Sequence, residues 1–306
     1  MRLKQFMPRC LAFMAILSLG AFFALEACTA SGDAVEGGDD GGDSFIPGDK
    51  GGSSSVVSNS SSSKNSLHVD STIFDMFDWV KIPKAAITRG VNSFGVNSFS
   101  MATTEVTQKV YEFVMEDLPK QPKTEDSVAV SNVSWFRAVL FCNAFSKLAG
   151  LDTAYVYKSI TGDSILVDLK VNYSAASIRL PTENEWEVAA RGGTSTTYYW
   201  DTDVASKYAY YGQTAGPDVV AQKLPNGFGL YDMAGNVAEW VNDWYDSYPK
   251  KQSDNYTGPE SGVYRVVRGG GWSDKVTALA PKEREKLDPV HSKMTLGFRL
   301  VYSTGF

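Results

Sequence analysis

The 306-residue sequence predicts a domain of short helices embedded among strands and long ordered loops, preceded by a segment that cannot build a core. Three observations favour this organisation. Residues suited to helix capping begin three short amphipathic segments. Alternating large residues on either side of a Gly-Asp pair indicate a hairpin. Glycines and aromatic residues crowd the runs between these elements, as is typical of ordered loops.

The first 28 residues have the pattern of a secretion signal. Basic residues precede a charge-free apolar run from Leu11 to Leu25, which is too short to span a bilayer comfortably. The run ends in LEAC at Cys28, where a small residue precedes the cysteine as in a bacterial lipobox, although Glu26 is unusual there. We expect Cys28 to be lipidated and to become the mature N-terminus, which anchors the chain to a membrane, facing away from the cytoplasm. Ordinary cleavage that leaves Cys28 as a free thiol is the alternative.

Residues 29–66 have the composition of a flexible tether. Gly, Asp and Ser dominate, and nine of the fourteen residues from Ser53 to Ser66 are serine. Such a segment buries too little apolar surface to offset its ordering entropy. Its scattered aspartates form no acidic cluster of defined geometry, so we interpret them as a solvated spacer and not as a metal site.

Residues 67–306 fit a single large domain. The formal net charge of −6, with Lys and Arg scattered along the chain, argues against a nucleic-acid partner. The chain has three cysteines. Because Cys10 leaves with the signal and Cys28 carries lipid, Cys142 remains alone and an intramolecular disulfide is excluded.

Three helices are predicted from their caps and apolar spacing. Thr107 can cap the first, with Val110, Phe113 and Val114 on one face. Ser134 can cap the second, in which the positions i, i+3, i+4 and i+7 form a buried stripe; these are Trp135, Ala138, Val139 and Cys142. Cys142 is therefore predicted to be a core residue, without the exposed electropositive setting of a reactive thiolate.

The third helix begins at a capping box, TENE, in which Thr182 and Glu185 exchange hydrogen bonds with each other's backbone amides. Trp186, Ala189 and Ala190 give it an inward face, and Gly192-Gly193 supplies its left-handed end. First-turn acids complement the helix dipole. We therefore favour a structural role for Glu183, Glu185 and Glu187 over acid–base catalysis.

A hairpin is predicted from residues 155–157 and 165–167 around Gly162-Asp163. The aromatic clusters at 198–200 and 208–211 favour packing, and a carbohydrate-binding platform remains open for them.

Five separated motifs carry a family resemblance. They are FSMATTEVT at 99–107, IRLPTENEWEVAARGG at 178–193, NGFGLYDMAGNVAEWVNDWY at 226–245, RVVRGGGW at 265–272 and LGFRLV at 296–301. In this order they closely resemble the sulfatase-modifying-factor domain, also called the formylglycine-generating-enzyme domain. The resemblance implies an α+β fold related to the C-type lectin fold, with low regular secondary structure, a small twisted sheet, flanking helices and long loops.

The resemblance also implies what the chain lacks. Members that oxidise a substrate cysteine use two thiols shortly after the Arg-Gly-Gly motif. The alignment places Asp274 and Leu279 at those positions. Because copper(I) needs soft thiolate ligands, we expect neither copper nor formylglycine synthesis. The family's non-haem iron branch needs a cluster of histidines, whereas this chain has only His68 and His291.

A structural calcium ion is expected at the loop from Asp232 to Glu239. By resemblance, Asp232 and Glu239 supply carboxylate oxygens and Gly235 and Val237 supply carbonyls, an all-oxygen shell that Ca²⁺ favours. Simple hydrogen bonding within the loop is the alternative, and Ala238 stands where the family usually has tryptophan. The residues of the family's other calcium site are missing, so that site is expected to be absent.

Two classes of function follow. The sequence favours a non-catalytic lipoprotein of the bacterial cell envelope, lipid-anchored and extracytoplasmic, that acts as a binding or assembly module for an unknown protein or glycan ligand. The competing class is an enzyme of the same family that uses an unrecognised site.

Overall fold

The computed structural model describes residues 70–200, 204–249 and 252–305. All of them belong to the second of two compact units, residues 63–306. Lipidation at Cys28, the signal and the tether lie outside the described residues and stay predictions. Within the described ranges no helix is long and apolar enough to cross a membrane.

The described residues form four helices and fourteen short strands. The helices are α1 Ser71–Phe74, α2 Gln108–Met115, α3 Trp135–Leu148 and α4 Glu183–Arg191, with 3₁₀ turns at Ala205–Lys207 and Val276–Leu279. The strands are β1 Trp79–Ile82, β2 Ala85–Arg89, β3 Asn92–Val96, β4 Phe99–Ala102, β5 Tyr155–Val156, β6 Ser159–Thr161, β7 Ile165–Val167, β8 Lys170–Val171, β9 Ser177–Arg179, β10 Ala238–Trp244, β11 Arg265–Arg268, β12 Glu285–Leu287, β13 Leu296–Gly297 and β14 Val301–Ser303. The predicted α+β class with little regular structure is confirmed.

Two four-stranded sheets organise the fold. The first has the order β1-β4-β14-β9 and is antiparallel throughout. The second has the order β12-β11-β10-β13, in which β10 and β13 run parallel. Three two-stranded ribbons, β2-β3, β5-β8 and β6-β7, complete the strand pairing. Strands β10 and β11 carry the third and fourth of the five sequence motifs into neighbouring positions of one sheet.

Helix α2 confirms the predicted cap and corrects the predicted face. The Thr107 hydroxyl accepts from the Val110 amide. The buried residues, however, are Gln108, Tyr111 and Val114, whereas Phe113 is 52% exposed. The prediction of Phe113 as an inward residue was wrong, because Tyr111 takes the inward position and stacks on Phe141 of α3.

Helices α3 and α4 match their predictions. In α3 the Ser134 hydroxyl accepts from the Arg137 amide, and the whole predicted stripe from Trp135 to Cys142 is buried. In α4 both hydrogen bonds of the Thr182–Glu185 capping box are present, and Gly192 ends the helix in the left-handed region with φ 57°. A Cβ at Gly192 would lie 2.8 Å from the Gly227 amide nitrogen, so this end of α4 needs glycine for space as well as for conformation.

The predicted hairpin exists with a different first strand. Residues 159–161 pair with residues 165–167 around the turn at Gly162. Tyr155 and Val156 pair instead with Val171 and Lys170. The prediction placed the first strand too early in the chain because the strong β-propensity of its tyrosines outweighed the weaker signal of Ser159–Thr161.

Candidate functional site

The two positions where the resemblance predicts catalytic thiols lie just after β11. Asp274 accepts a hydrogen bond from the Gly271 amide at 2.8 Å, which closes a tight turn. Leu279 ends a 3₁₀ turn and is fully buried in an apolar cluster with Trp186 and Met233. A Cβ at Gly270 would lie 2.6 Å from Leu279 Cδ2. Leu279, which stands in place of the second thiol, is therefore packed against Gly270 of the RVVRGGGW motif.

Cys142 is the free cysteine of the described residues, and it is buried. It lies on α3 in the core, and burial raises the pKa of its thiol well above the ordinary value. A thiol in this setting stays protonated at neutral pH and is a poor nucleophile or metal ligand. Its predicted core role is confirmed.

The loop from Asp232 to Glu239 brings the predicted calcium ligands onto one turn and the start of β10. Asp232 has a left-handed backbone with φ 55°, and its carboxylate accepts from the Ala221 amide at 2.7 Å. The Gly235 amide donates to the Gly269 carbonyl. A Cβ at Gly235 would lie 2.3 Å from the Tyr210 carbonyl oxygen, so the chain needs glycine here.

Glu239 is held by a guanidinium. Arg299 Nε lies 2.8 Å from both carboxylate oxygens and Arg299 Nη2 lies 2.7 Å from Oε1. The Trp186 indole donates to Oε2 at 2.7 Å. Glu239 and Arg299 are both fully buried. Each Glu239 oxygen therefore accepts hydrogen bonds from the protein, and the positive charge of Arg299 lies against the carboxylate as a bound cation would.

A second acid shares this charge cluster. Glu105 is fully buried and accepts from the Val237 amide and the Asn236 side chain, both at 3.3 Å. Burial, together with the nearby Asp232 carboxylate, raises the pKa of Glu105 well above its usual range. Burial likewise raises the pKa of Asp232 to about 6. The Arg299 guanidinium thus interacts electrostatically with three buried carboxyl groups, and burial raises the pKa of two of them, Glu105 and Asp232.

This arrangement does not by itself form a calcium shell. Among the described residues no group of three or more His, Cys, Asp or Glu side chains is placed to hold a metal ion. Glu239 in particular could ligate Ca²⁺ only by loosening its bonds to Arg299. Calcium at Asp232, Gly235, Val237 and Glu239 stays a prediction. The alternative for these residues was hydrogen bonding within the protein, and such hydrogen bonds are present.

The acids of α4 are all engaged by arginines. Both Glu185 oxygens accept from Arg179 at 2.7 Å. The Glu183 carboxylate is paired with Arg284 and the Glu187 carboxylate with Arg268, and the latter bond measures 2.9 Å. These contacts support the structural interpretation of the three glutamates.

The aromatic clusters pack mainly on one another. Tyr198 stacks on Trp200 with ring centroids 4.6 Å apart, and Trp200 stacks on Tyr208 at 5.8 Å. Trp200 and Tyr199 are buried in the second apolar cluster. Most of this aromatic surface is therefore used within the domain, as the packing interpretation predicted.

A match to a protein-family model shows which family the chain belongs to. The model of the sulfatase-modifying factor enzyme 1-like domain matches residues 74–304. The chain belongs to this family. Formylglycine-generating enzyme of Mus musculus is 28% identical over 256 residues, which cover 76% of this chain and 66% of that enzyme. The sulfatase-modifying-factor fold predicted from the five motifs is confirmed.

Two further similarities fall outside the enzymes. A protein of Paenibacillus barcinonensis named chaperone protein LppX is 31% identical over 237 residues, which cover 68% of this chain and 81% of that protein. The solved structure of Treponema denticola variable protein 1 aligns with a TM-score of 0.66 and 30% identity, covering 74% of this chain and 95% of that one. The chain also matches chlamydial serine/threonine-protein kinases, of whose length it spans only 20%.

Two features of this domain are visible only in the structure. The sequence predicts neither the pairing of Glu239 with Arg299 nor the burial of Glu105, although Glu105 lies in the motif FSMATTEVT and Arg299 in the motif LGFRLV. A charged residue inside an otherwise apolar motif is the signal that could have found them, because such a residue is buried only with a partner.

Proposed function

We propose that this chain is a lipid-anchored extracytoplasmic binding module that has kept the sulfatase-modifying-factor fold without formylglycine synthesis. One observation carries the proposal. The positions of the two catalytic thiols hold a carboxylate that closes a turn, at Asp274, and a buried aliphatic side chain, at Leu279. A hard carboxylate and an alkyl group cannot replace the two soft ligands that copper(I) chemistry requires.

The similarity to a chaperone supports a polypeptide as the partner. The match to chaperone protein LppX extends over most of both chains. A fold with several buried ion pairs also has a rigid scaffold on which exposed loops can present a binding surface. We therefore propose a protein ligand ahead of a glycan.

Site-specific photo-crosslinking in cells tests this proposal. A photoreactive amino acid is placed in the intact protein at Val91 or Val263, which are 99% and 67% exposed. The expected result is one dominant cross-linked polypeptide that, once purified, binds the intact protein saturably. The protein without a photoreactive residue, irradiated in the same way, serves as the control for non-specific labelling.

The competing enzyme hypothesis gives a different result. If no polypeptide binds saturably and the full chain instead turns over a thiol peptide or a glycan in an activity screen, the binding-module proposal is wrong.

A further inference from the structure

A pocket of about 310 Å³ lies beside β10 and β11. Its lining includes no residue of the segment 268–272 or of the loop from Asp232 to Glu239. Residues of three chain segments line it: Lys170 and Tyr173 after the hairpin, Asn242 and Trp244 on β10, and the loop 257–260. Arg265 of β11 forms part of its wall. A volume of this size is at the lower end of the range for small-molecule sites.

Arg265 is clamped between two indoles. Its guanidinium carbon lies 3.7 Å from the ring centre of Trp135 and 3.4 Å from that of Trp244. The two indoles are nearly parallel, with an interplanar angle of 22°. Stacking on both faces fixes the guanidinium plane and leaves only its edges for hydrogen bonding.

Those edges are incompletely used. Arg265 Nη1 donates to the Asn242 carbonyl at 2.6 Å. Arg265 Nε is buried and has no hydrogen-bond partner among the described residues. Nε and Nη2 share one edge of a guanidinium, the edge that binds a carboxylate through two parallel hydrogen bonds. Arg265 thus has one buried donor, Nε, without a hydrogen-bond partner among the described residues, in a side chain that lines the pocket.

Arg268 also has a buried Nε without a hydrogen-bond partner among the described residues, so what distinguishes Arg265 is the lack of a carboxylate partner. Arg179, Arg268 and Arg299 are each about 1% exposed or less, and each pairs with a buried glutamate. Arg265 is 6% exposed, and within the described part of the chain no carboxylate lies within salt-bridge distance of it. Two aromatic faces and one carbonyl contact the guanidinium, and the buried Asp243 carboxyl group interacts with it electrostatically from beyond salt-bridge distance.

Such a charge is costly to keep. A buried cation without a counterion loses its hydration, and cation–π contacts restore only part of it. Consistent with this, burial lowers the pKa of the Arg265 guanidinium from its ordinary value. A structural arginine would be expected to have a glutamate, as the other three do.

We propose that this pocket is a binding site for a small-molecule carboxylate, with Arg265 as the residue that binds it. The clamped guanidinium can donate to two oxygens that lie in its own plane, as the oxygens of a carboxylate do. Lys170 adds a second positive charge at the rim, and Glu260 is the acidic residue among the lining side chains.

Tryptophan fluorescence of the full chain tests the site, because Trp135 and Trp244 contact the guanidinium directly. The probe is sodium propionate, compared with inorganic phosphate and with propionamide, which has the same carbon skeleton but no carboxylate charge. The expected result is a saturable change with propionate alone. Loss of the planar two-donor edge in Arg265→Lys should weaken this response at least about tenfold.

Rim variants keep the test independent of folding. Lys170→Glu changes an exposed residue and should weaken propionate binding about fivefold, whereas Glu260→Gln should strengthen it. Lys158→Glu, an exposed charge reversal that is not among the pocket residues, is the matched control and should leave binding unchanged. Circular dichroism verifies that each variant is folded.

Three results would overturn the proposal. A response to propionate that does not saturate shows that there is no site. An equal response to phosphate refutes the carboxylate class. Equal binding by the Lys170→Glu and Lys158→Glu variants places the carboxylate somewhere other than this pocket.

Discussion

Replacing Glu239 with glutamine tests whether the buried ion pair with Arg299 is a structural element of the domain. The glutamine side chain keeps the shape of the glutamate and one oxygen that can accept from Trp186. The replacement removes the negative charge that faces Arg299, which donates to Glu239 through Nε and Nη2 at 2.7–2.8 Å. The variant therefore isolates the charge from the packing.

The expected cost follows from the complete burial of both partners. Breaking a buried pair by removing one charge costs about 3–5 kcal/mol. Arg299 also lies in the field of the Glu105 and Asp232 carboxyl groups, so we expect the lower end of that range. For a domain of this size each kcal/mol shifts the unfolding temperature by about 2–4 °C, which predicts a decrease of roughly 6–12 °C.

Thermal unfolding by circular dichroism measures this decrease, with Glu285→Gln as the control. Glu285 pairs with Lys293 on the surface, where the side chains are 48% and 47% exposed, and breaking an exposed pair costs at most about 1 kcal/mol. Both variants are measured with calcium and with excess chelator. A loss for Glu239→Gln no larger than that of the control would refute the structural ion pair. A large loss that appears only with calcium would assign Glu239 to the ion and not to Arg299.

Three further predictions concern a buried acid, the calcium loop and the anchor. Burial raises the pKa of Asp243 to about 8. The folded state therefore holds a proton that the unfolded state releases near pH 3.9, so the free energy of unfolding falls as the pH rises from about 4 to about 8. Urea unfolding at pH 5 and pH 8 measures this fall, which Asp243→Asn should reduce. If calcium binds the loop, a calcium concentration 100 times the dissociation constant stabilises the parent by about 2.7 kcal/mol, and Asp232→Ala loses this gain. A calorimetric transition that calcium leaves unchanged, together with no calcium by elemental analysis, would refute the calcium site. Cys28→Ser should release the protein from the membrane fraction and abolish labelling by a palmitate analogue, and a variant that pellets and labels like the parent would contradict lipidation.

The elements that the sequence predicted well are those whose signal is local. The caps at Thr107, Ser134 and Thr182 depend on residues within one helical turn, and all three are present. The family motifs predicted the fold because glycines such as Gly235 admit close backbone approaches that few other sequences allow.

The features that the sequence missed depend on distant residues. Glu105 and Arg299 are far apart in the chain and meet only because β14 pairs with β4. Arg265 reaches Trp135 of α3 only through the packing of that helix near the second sheet. No local periodicity indicates which buried arginine pairs with a carboxylate, and the unpartnered Nε of Arg265 could be recognised only in the folded chain.

Mass spectrometry of a sulfatase-type peptide tests the central claim most directly. The purified full chain is incubated with the peptide, copper and oxygen, beside an active formylglycine-generating enzyme as the positive control. Because Asp274 and Leu279 stand in place of the thiol pair, the account predicts that the peptide cysteine keeps its mass while the control converts it. A copper-dependent conversion of that cysteine to formylglycine by this chain would contradict the account.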